Sequence, residues 1–269
     1  MIFQSIQGTK VPALGFGTWK LNGLPCEEAV QEAIDIGYRH IDTAAMYGNE
    51  EYVGNGIQLS GIARNELFVT SKVWHTHLSK EKLRSSAEDS LRKLNIGYLD
   101  LLLIHWPNPD VPLEESIGAM LELQQEGKIR HIGVSNFSTT LLQKALQFTA
   151  IFCNQVEYHP YLSQKPLLDL CQQQGILLTA YAPVAHGEVM HDPVLQEIGK
   201  KYGKSPIQVT LRWLLHQPFV AAIPKAGSNT HRKNNFDIFD FTLKEEEMQA
   251  IFKLNRNSRM VNPSWAHEW

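Results

Sequence analysis

The chain has 269 residues, 43% of them hydrophobic and 20% charged, with a formal net charge of −3. A chain of this size can bury a large core without covalent staples, and a near-neutral balance gives no electrostatic footprint for nucleic acid or an anionic membrane. Its three cysteines, Cys26, Cys153 and Cys171, are odd in number and widely spaced. Residues 1–10 lack a signal-peptide pattern and no apolar run is long enough for a bilayer, so a cytoplasmic protein is expected.

Residues 4–10 read as a small hairpin. Apolar runs then recur at 14–16, 38–41, 67–71, 99–104, 129–134, 152–156, 176–181 and 219–223, each short enough to be a strand covered on both sides. Amphipathic stretches alternate with them at 26–36, 79–94, 114–126, 141–148, 165–174 and 206–216. In the first, Ala29, Ala33 and Ile36 share a face; in the second, Leu83, Ala87, Leu91 and Leu94 do. Gly37, Gly127 and Gly175 stand where left-handed helix caps are expected, and Pro112, Pro166 and Pro206 stand near helix starts. A further helix at 244–254 and a tail at 255–269 complete the chain. Eight βα units in about 250 residues predict a single (β/α)8 TIM barrel spanning residues 1–269. The stretch Gly15-Phe16-Gly17-Thr18-Trp19-Lys20 opens like a dinucleotide fingerprint, but Lys20 occupies the third glycine position and the doubly wound alternative fails.

In a barrel of this kind the chemistry sits where strands end. The runs end in Asp42-Thr43, with Tyr47 in the next loop, in Lys72, in His105-Trp106 and in Ser135-Asn136. Later ones end in Gln155 and Glu157, in Tyr181, and in Lys225. Taken singly, such an Asp or Lys is more often a structural ion pair and such a His a satisfied core group. Together they describe a proton-donor site. Tyr47 is the acid, Lys72 lowers its pKa, Asp42 holds Lys72, and His105 orients a carbonyl oxygen. His75-Thr76-His77 raises a metal reading, but the pair falls in a loop with no carboxylate nearby, and no metal is expected.

At these positions the chain resembles the aldo-keto reductase family. The resemblance rests on Gly37-Tyr38-Arg39-His40-Ile41-Asp42-Thr43-Ala44, Tyr47-Gly48-Asn49-Glu50 with Val53-Gly54, and Leu99 through Pro107. It continues in Ile132-Gly133-Val134-Ser135-Asn136-Phe137 and Ile223-Pro224-Lys225. Within the family the chain is similar to small bacterial 2,5-diketo-D-gluconate and methylglyoxal reductases, on its compact loops and on Asn257-Ser258-Arg259-Met260-Val261 with Glu268-Trp269. The resemblance implies a catalytic tetrad of Asp42, Tyr47, Lys72 and His105. It implies that Ser135, Asn136 and Gln155 bind a nicotinamide carboxamide, that Tyr181 stacks on the ring, and that Gly17 and Thr18 lie beside the cofactor. Trp19, Trp74, Trp106 and Trp265 become substrate contacts, while Trp269 is expected to pack on the barrel.

Lys225 matches the family lysine for a 2′-phosphate, with His231 and Asn235 alongside. His231 stands where an arginine is common, Arg232 follows it, Ala226 replaces a serine and Asn234 a glutamate. The expected cofactor is therefore NADPH, with NADH open. The loop Ala182-Pro183-Val184-Ala185-His186-Gly187 also departs from the family pattern at the pyrophosphate. The implied function is reduction of a small carbonyl compound by a monomer that binds neither nucleic acid nor membrane. A non-catalytic nicotinamide-binding redox-sensing module and a metal-dependent barrel hydrolase are the alternatives.

Overall fold

A computed structural model describes residues 1–266; Glu268 and Trp269, invoked above, lie outside the described residues. Strands β1 (Phe3–Ile6) and β2 (Thr9–Pro12) form the antiparallel hairpin expected near the N-terminus. The barrel follows: β3 (Phe16–Gly17), α1 (Gly23–Ile36), β4 (His40–Asp42), α2 (Glu50–Leu59), β5 (Phe68–Val73), α3 (Lys80–Leu94), β6 (Leu99–Ile104), α4 (Leu113–Gln125) and β7 (Ile129–Ser135). Then come α5 (Thr139–Ala145), β8 (Cys153–Glu157), α6 (Lys165–Gln174), β9 (Leu177–Tyr181), α7 (Pro193–Tyr202), α8 (Pro206–His216), β10 (Val220–Ala222), α9 (Asn229–Phe236) and α10 (Glu245–Phe252). The eight strands from β3 to β10 are parallel and ordered as in the sequence. Leu14 bridges to Ala222, and Gly15 and Gly17 donate to the carbonyls of Ala222 (2.8 Å) and Pro224 (3.1 Å), which closes the barrel.

Strand side chains alternate between the barrel interior and the helices. Phe68, Leu101, Leu103, Phe152, Cys153, Leu177 and Ala221 form an inner cluster that Ile6 and Val11 of the hairpin plug from below. A larger outer cluster joins the other strand faces to the helices. The parity decides the site. Counting by twos from Phe68 reaches Lys72, from Leu101 reaches His105, from Cys153 reaches Gln155 and Glu157, and from Leu177 reaches Tyr181. The inner rows that fill the core below thus end in polar side chains at the mouth.

Three helices fall outside the expected amphipathic stretches. Helix α9 reads NTHRKNNF, too polar for a periodic face. Helix α7 is amphipathic, burying Leu195, Ile198 and Gly199, and its ends are marked as well, with Asp192 capping and Gly203 terminating it at φ 65. Helix α2 contains Gly54 and Gly56, poor helix formers. These glycines permit close approach: a Cβ at Gly54 would stand 2.7 Å from the carbonyl carbon of Leu94, and one at Gly56 would stand 2.5 Å from the carbonyl oxygen of Glu27. The thiols of Cys26, Cys153 and Cys171 are free and buried, and burial pushes each up to about 12. No helix among the described residues is long and apolar enough to cross a membrane.

Because backbone, not a flexible side chain, fills the space beside Gly54, Gly54→Ala should destabilise the fold by about 1–3 kcal/mol despite its better helix propensity. Urea unfolding measures this; a change within about 0.5 kcal/mol would show that the helix pair can move apart freely.

Candidate active site

Asp42 is the last residue of β4 and Lys72 the penultimate residue of β5, so both stand inside the strands rather than just after them; in register Asp42 pairs with Thr70, two residues before Lys72. Lys72 is fully buried, which would be costly for an unpaired ammonium. Its Nζ donates to Asp42 Oδ1 at 2.5 Å, to the Thr43 carbonyl at 2.7 Å and to the Tyr47 hydroxyl at 3.3 Å. An ammonium has three N–H groups, and these acceptors use all of them. The Tyr47 oxygen therefore receives a proton donor from Lys72, and its own O–H is left to point elsewhere. The other oxygen of Asp42 accepts from Gln155 Nε2 at 2.8 Å, across the barrel. Burial, the largest single influence, would lower the Lys72 pKa, but the charges of Asp42 and Tyr47 and the hydrogen bonds to both together outweigh it and hold the ammonium above its ordinary value.

Tyr47 is the last residue of a short 3-10 turn, Ala45–Tyr47, that Gly48 ends with a left-handed backbone at φ 67. The turn is anchored by Asn49, which lies in a stretch matching the family but has no role assigned from the sequence. Its amide donates to the carbonyls of Thr18 (2.9 Å) and Leu21 (2.8 Å) and accepts from the Thr43 hydroxyl (2.9 Å). The Tyr47 ring lies 4.8 Å from Trp19 and 5.7 Å, edge-on, from His105. The expected acidification of this phenol is corrected here. Burial raises its pKa above 10, and the opposing effect of Lys72 does not overcome it. The ammonium acts in the anticipated direction, but its charge is shared with Asp42 and the phenolate would be poorly solvated. His105 is pushed well below 6.5 by burial and by Lys72, so it is neutral at neutral pH. Its Nδ1 is buried without a hydrogen-bond partner among the described residues.

Ser135, Asn136 and Gln155 do meet at one place, but much of their bonding capacity is used within the protein. Ser135 Oγ donates to the Gln155 carbonyl (2.8 Å), and Asn136 Nδ2 donates to the His105 carbonyl (2.9 Å) and Ser135 Oγ (3.1 Å). Asn136 Oδ1 accepts from the Tyr181 hydroxyl at 2.8 Å, which fixes that half-buried ring at the rim. Thr18 is fully buried, its Oγ1 donating to the Asp42 carbonyl at 3.0 Å. A Cβ on Gly17 would stand 2.7 Å from the Ile223 carbonyl oxygen. Both residues shape the rim from within the wall.

Around β10 and α9, Lys225 and His231 are exposed, and Lys225 makes no ion pair among the described residues. Arg232 is turned inward: it pairs with Glu32, donates to the Ala226 carbonyl (3.0 Å) and is buried. It therefore does not replace the arginine missing at His231. Asn235 is buried on the same helix. A free lysine beside a helix N-terminus capped by Ser228 suits a phosphorylated group. With the half-buried Tyr181 ring at the other end, these residues fit a nicotinamide dinucleotide. The loop Ala182-Pro183-Val184-Ala185-His186-Gly187 makes two tight turns, with left-handed backbone at Ala182, Ala185, His186 and Gly187.

Trp265 of the tail stands against Trp74 (5.4 Å) and Trp106 (5.2 Å) and stacks on His75 at 4.4 Å and 6°. Trp74 in turn meets His105 edge-on at 5.1 Å. The aromatic wall thus reaches the tetrad directly. His75 serves it as a stacking partner, and no cluster of three His, Cys, Asp or Glu side chains among the described residues could hold a metal. A separate depression of about 640 Å³, lined by Tyr98, Asp100, Arg130 and His131, lies where β6 and β7 begin, at the opposite end of these strands.

Residues 13–256 match the Aldo/keto reductase family. The chain is 46% identical to a glyoxal reductase of Bacillus subtilis (strain 168), over 94% of this chain and 92% of that one. A crystal structure assigned as 2,5-diketo-D-gluconic acid reductase B superposes with a TM-score of 0.97 at 46% identity, covering 99% and 96% of the two chains. That of an aldo-keto reductase from Bombyx mori in complex with NADP gives 0.91 at 35% identity, over 98% and 95%. With this geometry and these similarities together, the chain belongs to the aldo-keto reductase family.

Proposed function

We propose that the protein reduces small aldehydes and ketones, dicarbonyls of the glyoxal, methylglyoxal and 2,5-diketo-D-gluconate kind foremost, with Tyr47 as proton donor and NADPH as preferred reductant. The observation that carries this reading is the saturation of Lys72 by three acceptors, which leaves the Tyr47 O–H unclaimed beside an aromatic-walled opening. A bound reduced nicotinamide supplies hydride to the carbonyl carbon. The carbonyl π pair then moves to oxygen, which takes the Tyr47 proton. The phenolate left behind lies beside the Lys72 ammonium, which stabilises it until solvent returns a proton. Neutral His105 can hydrogen-bond the substrate oxygen without competing as an acid. Tyr181 and Asn136 hold one face of the site rigid, which favours a single hydride trajectory.

The cofactor preference rests on Lys225 and His231, since Arg232 is committed to Glu32. The similarity to glyoxal reductase supports the substrate class. Free, buried thiols and the small net charge support a cytoplasmic enzyme acting on small molecules without a nucleic-acid partner, and we propose that it works as a monomer.

Tyr47→Phe should lower kcat for methylglyoxal by about 10²–10⁴-fold while cofactor affinity holds, since only the proton is removed. A near-normal kcat would rule out Tyr47 as the acid. The pH profile follows from the two shifts. Above its raised pKa the phenol has no proton to give, and His105 protonates only well below 6.5, so kcat should be level through neutral pH and fall only on the alkaline side. A transition centred near neutrality would contradict this. Lys225→Met should raise KM for NADPH about tenfold and leave that for NADH nearly unchanged; equal effects on both would remove Lys225 from phosphate recognition.

A further inference from the structure

Glu157 takes no part in the chemistry described above, yet it is fully buried. Its carboxylate accepts three donors: His159 Nε2 at 2.9 Å, the Met260 N–H at 2.7 Å and the Val261 N–H at 2.9 Å. Burial would raise its pKa, but these hydrogen bonds outweigh it and keep the carboxyl below the ordinary range. His159, itself fully buried, also receives the Tyr161 N–H on Nδ1 at 3.3 Å, which sets its ring. Beside the carboxylate, the Tyr161 carbonyl accepts from the backbone N–H of Arg256 (3.2 Å) and Ser258 (2.9 Å). The Arg256 guanidinium lies 4.1 Å over the Tyr161 ring, and Asn255 Oδ1 accepts from the Ser163 N–H at 2.9 Å. Residues 255–261 have no helix or strand of their own, so these bonds are what orders them.

Four residues beyond Val261 comes Trp265, stacked on His75 and flanked by Trp74 and Trp106. Four residues span at most about 14 Å, so the anchor bounds where that indole can stand. The Glu157 carboxylate is the strongest acceptor along this strap: bonds to an ionised oxygen are about twice as strong as neutral ones, and the other ionised acceptor, Glu188 on Arg256, is exposed where Glu157 is fully buried.

We propose that Glu157 is a positioning residue for substrate selection. By gripping Met260 and Val261 it holds Trp265 over the site, and so sets how far carbonyl compounds carrying an aromatic group large enough to pack on that indole are accepted beside the three-carbon dicarbonyls, which do not reach it. This rests on the reductase reading above. A glutamine at 157 keeps the shape but offers one acceptor oxygen and aims an NH2 group at a backbone N–H, so the grip is lost without a cavity. Proline at 261 removes a donor from the strap side and leaves β8 untouched.

The test compares wild type with Glu157→Gln, Val261→Pro, Trp265→Ala and the Glu157→Gln/Trp265→Ala pair. It uses amide hydrogen exchange of the 256–266 segment and steady-state kinetics on 4-nitrobenzaldehyde and methylglyoxal. Both anchor variants should speed exchange in that segment. They should also lower the kcat/KM ratio of the aromatic over the small substrate by about tenfold, through KM for the aromatic aldehyde rather than through kcat. Trp265→Ala should lower the ratio similarly, and the double variant should lower it no further, because the two changes act through one indole. Unchanged exchange, faster exchange with an unchanged ratio, or additive losses in the double variant would each overturn the proposal. If one anchor variant fails to fold, the other decides by the same two readouts. Absence of any aldehyde reduction by wild type would instead sink the reductase reading, and the exchange result would still report on the anchor.

Discussion

A fully buried ammonium is the constraint on which the rest of the structure depends. Lys72 cannot stay charged inside the barrel without Asp42, and the pair cannot be dry without further hydrogen bonds to the remaining atoms. The barrel meets that need with neighbours from other strands. The Thr43 carbonyl takes one lysine proton, Gln155 covers the second carboxylate oxygen, and the Thr18 hydroxyl and N–H hold the Asp42 carbonyl. What remains of the ammonium's bonding capacity is directed at a single atom, the Tyr47 oxygen. Structural satisfaction and the proposed chemistry are thus the same arrangement: a charge that must be fully coordinated to exist there is coordinated in part by the proposed proton donor, Tyr47.

The dry surroundings that strengthen this interaction also keep the phenol protonated. Burial raises Tyr47 and Lys72 opposes it, and the outcome is a donor that holds its proton at neutral pH and is stabilised once the proton leaves. The ammonium's value is therefore greater in the charge-separated state than in the resting one, as expected of a group that lowers a barrier rather than one that prepares an anion in advance. The aromatic wall from Trp19 through Trp74 to Trp265 keeps the site apolar, and the Glu157 strap places its outermost member.

Much of this was legible before the fold was seen. Eight apolar runs pointed to the barrel, and polar residues at or just after the ends of those runs pointed to the four side chains that gather at its mouth, because strand parity carries an inner row of side chains to one mouth. Short-range chemistry was legible too: Gly127 and Gly175 have left-handed backbones at helix ends, and Pro166 and Pro206 sit in first turns. What escaped depends on distant packing. Helix α2 hides behind glycines that serve Leu94 and Glu27. The direction of Arg232 depends on Glu32, two hundred residues away in the chain. The net shift of Tyr47 depends on how much water its site excludes, and spacing carries no information about that. Glu157 stood visibly at a strand end, but its role needs residues 260 and 261, whose contribution is backbone N–H and leaves no mark in the residue types.

The central claim is that the Lys72 charge acts on the Tyr47 phenol. Incorporating [13Cζ]-tyrosine and following the Tyr47 resonance against pH, assigned by its loss in Tyr47→Phe, measures this without turnover. In wild type the resonance should remain that of the neutral phenol through pH 7, and in Lys72→Met its titration should move to still higher pH. A Tyr47 titration identical in the two proteins would contradict the account.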